Sequence, residues 1–212
     1  MRYSLFFSLL FMSTGVLPAQ PVSIGVKGGG RITADLNSYS AISESKRYAV
    51  GPMATAGLPE GFRLEFDALY RLVGYRWSNT DPVGDQFSER DRGNSWEFPI
   101  VIRRTLWRGI YAGVGYAPRV TNGSGHYDSV IVEFLTPPVK TYHGQNVSVS
   151  WYTTHGVVGA AGIERRLGPV RIAPEVRYVY WNRPAQEMYG SRGFSIVSTQ
   201  HQLDLLVGIS IP

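Results

Sequence analysis

The chain has 212 residues, no cysteine, and 21 Lys+Arg against 16 Asp+Glu, a formal net charge of +5. Without cysteine there is no disulfide framework, thiolate metal site or lipid-modified cysteine anchor. The basic residues are dispersed, most of them singly and opposite acids, so a nucleic-acid-binding tract is excluded despite the positive charge.

Residues 1–19 read as a secretory signal peptide: Arg2 as a thin n-region, Leu5 to Met12 as the apolar h-region, and Leu17-Pro18-Ala19 as the cleavage site. The h-region is too short to span a bilayer, and no later run approaches the ~18 apolar residues a membrane helix needs. Residues 20–212 are expected to form one domain.

From there the apolar residues recur with period two, which means strands. They are expected near 22–32, 48–58, 62–76, 94–104, 110–119, 154–166, 170–181 and 199–211. Tight turns at Leu58 to Gly61, Thr105 to Gly109 and Leu167 to Pro169 alternate with long polar connections at 33–47, 77–93, 120–153 and 182–198. Short turns alternating with long loops predict an all-β fold: an eight-stranded antiparallel up-and-down transmembrane barrel, with periplasmic turns and external loops.

The apolar parity of the strands carries no Asp, Glu or Lys. Its aromatics Tyr48, Tyr70, Trp96, Tyr116, Trp151 and Tyr180 all fall at the loop end, as a girdle at a membrane boundary would. Phe62 and Trp107 suggest a thinner girdle at the turns. The opposite parity predicts a lumen. An ion-pair network is expected there from Lys27, Arg63, Glu65, Asp67, Arg71, Glu97, Arg103, Glu164, Arg171, Glu175, Arg177 and Asp204. Arg31, Arg119 and Arg166 share that parity, so nine bases face six acids. Glycines interleave with them, and an eight-stranded interior is narrow enough for side chains to fill. Pro52, Pro99 and Pro174 fall inside strands, where each removes a ladder bond.

The stretches Ser95–Ile102, Tyr111–Arg119 and His155–Gly168 resemble the small outer-membrane β-barrel domain family of Gram-negative bacteria, similar in plan to the OmpA transmembrane domain and OmpX. The resemblance covers roughly residues 22–211. It implies a barrel and the bacterial outer membrane, and no activity. Barrels of that family usually end on an aromatic residue that the insertion machinery reads, whereas Pro212 closes this chain.

Some small barrels hydrolyse lipid A with a histidine, a serine and an acid. Candidates here are His155, His201 beside Ser198, His126 before Tyr127, Asp128 and Ser129, and His143 beside Gln145 and Asn146, but no spacing enforces a catalytic arrangement. No histidine pair has metal-ligand spacing on a strand. The Gly28-Gly29-Gly30 run lacks a following helix and reads as a kink or bulge. The expected function is therefore non-enzymatic and without cofactor: a monomeric barrel with a packed lumen, in contact with membrane lipid and lipopolysaccharide. A surface ligand would be met through loop 120–153, by Tyr127, Phe134, Tyr142 and the apolar Val130 to Leu135 beside Pro137-Pro138. The alternatives are a narrow diffusion pore and, behind it, a lipid A hydrolase.

Overall fold

The computed structural model describes residues 22–36, 41–133, 139–149, 151–189 and 195–211. The expected signal peptide, Pro212, Phe134, Leu135 and Pro137-Pro138 lie outside them.

In chain order the strands are β1 (Val22–Arg31), β2 (Ala41–Ser43), β3 (Tyr48–Gly57), β4 (Phe62–Asp67), β5 (Leu69–Thr80), β6 (Gln86–Glu97), β7 (Ile100–Trp107) and β8 (Ile110–Glu133). They continue as β9 (Val139–Val147), β10 (Thr154–Ile163), β11 (Arg165–Leu167), β12 (Val170–Trp181), β13 (Glu187–Tyr189), β14 (Ser195–Val197) and β15 (His201–Ile211). All pairings are antiparallel, and β1 pairs with β15, which closes the sheet on itself. The wall has eight staves: β1, β3, β4 with β5, β7 with β6, β8, β10 with β11, β12 and β15.

One of the splits, between β6 and β7, falls at a proline. Register runs unbroken from the β4–β7 ladder into the β5–β6 ladder, yet the strand is interrupted at Phe98-Pro99. Pro99 has no N–H to give; its carbonyl still accepts from Asp67 N at 3.1 Å. Pro52 and Pro174 likewise sit in continuous ladders. Gly28-Gly29-Gly30 is neither kink nor bulge: β1 pairs residue for residue with β3 and β15 through all three. At Gly29 glycine is needed for proximity. A Cβ on Gly29 would lie 1.9 Å from the Leu205 carbonyl oxygen, because a narrow barrel curls its inner faces together.

At one end the turns are tight. Arg108 and Gly109 both take positive φ (47° and 84°), the two-residue hairpin geometry that matches strand twist. Glu60 and Gly61 do the same between β3 and β4.

The wall is inside-out relative to a soluble protein. Val22, Ile24 and Val26 are more than half exposed, while Ser23 and Lys27, on the opposite parity, are 1% exposed. Ile100, Ile102, Val114, Val157, Leu205, Val207 and Ile209 continue the outward apolar surface. From Phe62 to Tyr70 this belt measures roughly 27 Å along the strand, close to the ~9–11 residues a tilted strand needs to cross hydrocarbon. The fold is an eight-stranded transmembrane barrel.

The strands do not stop at the belt. β5 and β6 pair from Leu69↔Glu97 up to Thr80↔Gln86, and β8 runs 24 residues, pairing with β6 and then β9. Much of the expected 77–93 and 120–153 loops is thus strand.

Candidate functional site

The inward side chains form two polar layers. The deeper one, nearer the turns, centres on Arg177. Its Nε donates to Glu175 (2.7 Å), Nη1 to Asp67 (2.7 Å) and Nη2 to Glu65 (2.8 Å). Lys27, from β1, donates to Glu65 and reaches Glu175 at 3.3 Å and Asp67 at 3.4 Å. These five side chains are at most 1% exposed. Arg103 links Glu65 (2.9 Å) to Glu164 (2.9 Å), and Arg63 closes on Glu164 at the turn-side rim. Tyr111 Oη donates to Glu175 at 2.8 Å and lies under the Arg103 guanidinium. Four bases meet four acids: Lys27, Arg63, Arg103 and Arg177 against Glu65, Asp67, Glu164 and Glu175. Isolated, any of these charges would be costly at such burial; interlocked, each compensates another.

The second layer lies nearer the loop end. Arg71 pairs with Glu97 at 3.0 Å and Asp204 at 2.5 Å. Gln202 sits at its centre, donating to Glu97 (3.1 Å) and Asp204 (2.8 Å) while its oxygen accepts from Arg31 and from Trp181 Nε1 (3.0 Å). Arg119 stacks on the Trp181 ring at 3.9 Å and donates to Thr154 at 2.9 Å. Apolar side chains also point into the lumen. Val101, Ala117, Val158, Ala160, Val179 and Trp181 form one cluster, and Ala49, Leu69 and Leu206 another.

Arg171, expected in the network, meets no carboxylate among the described residues and donates to Ser23 at 3.2 Å. Arg166 turns to the Gly168 carbonyl at the turn rim. Gln202, Tyr111 and Trp181 were not singled out by charge, although their parity already pointed them inward.

On the outside, Tyr70 and Trp96 are cross-strand partners with ring centroids 5.2 Å apart. Tyr48, Tyr116 and Tyr180 are also exposed. Trp151 departs from this girdle. It packs against Tyr75 (6.1 Å) within a cluster of Tyr75, Trp77, Phe87 and Ile196, over space left by Gly93 and Gly123. Above the girdle, then, the barrel has an aromatic interior and outward charges such as Arg76, Arg90 and Arg92.

Tyr127 belongs to that interior and Tyr142 is 75% exposed, so only the second is free on the β8–β9 hairpin. Glu89 and Asp91 also point inward here, several residues beyond Trp96 and so clear of the membrane. Burial, and then the Asp91 carboxylate, push Glu89 up to about 7. Burial raises Asp91 as well, against the opposing bond from Gln186. On the outer face Glu44 is held low by its hydrogen bond from Arg90 (2.7 Å).

The histidines assemble no catalytic group among the described residues. His155 bonds the girdle hydroxyl of Tyr116, and His201 that of the outward-facing Tyr178. Ser198 Oγ accepts from the Ala185 and Gln186 amides. His126 meets Asn146 and Asp128 on an exposed face. No cluster of three or more metal-ligating side chains occurs among the described residues.

No family model and no curated protein matches the chain. Among solved structures it is similar to Neisserial surface protein A, with 11% identity, a TM-score of 0.36, and coverage of 90% of this chain and 95% of that one. It is also similar to Ail, the attachment invasion locus protein of Yersinia pestis, in complex with the heparin analogue sucrose octasulfate. There the identity is 9%, the TM-score 0.29, and the coverage 91% and 97%. The fold stands on the strand pairing and the outward apolar belt without them.

Proposed function

We propose that this chain is a non-enzymatic bacterial outer-membrane protein in which a plugged barrel serves as a rigid mount for surface-contact hairpins. Export would use the signal over residues 1–19. The observation that carries the reading is the length of β8. Its 24 residues exceed the ~9–11 needed to cross hydrocarbon, so about half the strand stands above the membrane, still hydrogen-bonded to its neighbours. Elements held so firmly present side chains at fixed positions, which favours contact with lipopolysaccharide or an extracellular partner. The deeper ion-pair layer weighs against the pore reading, since its five central side chains interlock across the lumen.

Two measurements test this. Purified protein in planar bilayers should give no conductance steps at moderate voltage; steady single-channel currents would replace the mount with a pore. Cells displaying the full chain should bind lipopolysaccharide-coated or host-matrix surfaces better than cells displaying a variant lacking 125–147. Equal binding by the two would move the contact to another hairpin.

A further inference from the structure

The two lumen layers differ in charge balance. The deeper has four bases and four acids in mutual contact. The layer above it has Arg31, Arg71 and Arg119 against Glu97 and Asp204, and both acids are engaged by Arg71 and Gln202. Arg119 is 5% exposed, and no carboxylate lies within 4.0 Å of it among the described residues; its Nη2 has no hydrogen-bond partner. Arg31 Nε is likewise buried and unpartnered. Both guanidinium groups line a cavity of about 230 Å³ at the loop-end mouth of the lumen, whose rim adds Lys46 and Arg47. Of its two carboxylates, Glu97 is taken by Arg71 and Gln202, and Asp35 accepts from Ser43 at 2.9 Å. Among the described residues Glu97 is the one carboxylate whose field reaches all three arginines, Arg31, Arg71 and Arg119, so their buried charge is under-compensated, which is expensive, and a planar guanidinium with free N–H groups is a ready donor to a doubly accepting oxyanion. The volume is several times a water's ~30 Å³ share, yet below the ~300–1,000 Å³ of pockets for drug-sized ligands.

We infer that this cavity is a binding site for a phosphate- or sulfate-type oxyanion, held by Arg119 and Arg31 with Arg71 behind them. The cation stacked on Trp181 is the anchor, because that indole fixes the guanidinium plane while its outer edge stays free for the ligand. The site is independent of the hairpin reading, since its lining belongs to the lumen mouth.

Calorimetry on the detergent-folded full chain tests it, with sodium phosphate titrated against sodium chloride of matched ionic strength. Saturable binding of one phosphate is expected in wild type and in the variant lacking 125–147. Arg119→Gln should weaken it about tenfold or more, while Arg171→Gln, at the other end of the lumen, should leave it within about twofold. No saturable binding, or equal binding by Arg119→Gln, overturns the inference. If Arg119→Gln does not fold, Arg31→Gln carries the test, and unchanged affinity there overturns it too. Competition by phosphorylated lipid A micelles, and not by dephosphorylated ones, would make a lipid headgroup the source of the oxyanion. Absence of competition makes it the free ion.

Discussion

At the residue scale, burial makes the lumen charges unforgiving and gives its glycines no room. Arg177 bonds three carboxylates at once, so Arg177→Met would strand Glu65, Asp67 and Glu175 with only Lys27 and Arg103 to share among them. We expect a loss of about 3–5 kcal/mol in a urea folding equilibrium in detergent, since breaking a buried pair leaves uncompensated charge. Adding Glu175→Gln to it should recover part of the loss. Full additivity of the two substitutions would mean that water already screens the layer. The glycines offer a second contrast. A Cβ on Gly115 would fall 2.1 Å from the Ile100 carbonyl oxygen, whereas one on Gly159, which faces outward, meets nothing within 4 Å. Gly115→Ala should cost about 1–3 kcal/mol and Gly159→Ala less than about 0.5 kcal/mol, read from the same equilibrium.

At the scale of elements, the extension above the girdle is the part least anticipated, and the reason is a phase change. Below the boundary the apolar residues of one stave are outward, as with Tyr70 and Trp96. Above it they are inward, as with Trp77 and Phe87, because the surroundings change from hydrocarbon to water. A slip of parity within one strand looks like a broken pattern, so the Ser-, Asn- and Gly-rich stretches from 77–93 and 120–147 pass for loops. The wall itself was legible, since Val114 or Leu205 obeys a single period throughout. The inward turn of Trp151 was not, because it lies between strands, where parity says nothing. This extension should respond to pH through Glu89. Its carboxyl, lifted to about 7, keeps in the folded form a proton that an unfolded chain releases from about 4.5 upward. The folded form binds more protons in that window, so the extension is most stable in acid and loosens as pH rises from about 4.5 to 7. Limited proteolysis at the loop end should therefore be slower at pH 5 than at pH 8, and Glu89→Gln should be slow at both. Deleting 125–147 cuts the β8–β9 hairpin at the Gly125↔Val147 pair and leaves the β8–β10 ladder whole. The barrel should still fold and stay heat-modifiable on gels, while β6, losing its partner over Gln86–Asp91, should be nicked faster by protease.

At the scale of the whole molecule, the outer belt defines what the barrel can sit in. An arginine at Val114, 70% exposed, or at Leu205, would face lipid and cost about 2–4 kcal/mol near the midplane. Both variants should insert poorly into vesicles while matched polar changes at Gln86 or Asn122, outside the belt, insert normally. Wild-type protein that stays monomeric and dispersed without detergent would contradict the outward orientation.

The extended hairpins also make the barrel a one-way object. Glu44, Arg76, Glu89, Arg90, Asp91, Arg92 and Asp128 all lie beyond the girdle, and each must pass hydrocarbon once if the barrel enters turn end last. Retreat would drag the same charges, and a preformed aromatic core with them, back through the bilayer. Entry is a single climb during assembly; afterwards those groups act as a ratchet pawl, so the protein's sidedness persists for kinetic reasons even where the energies of the two orientations are close.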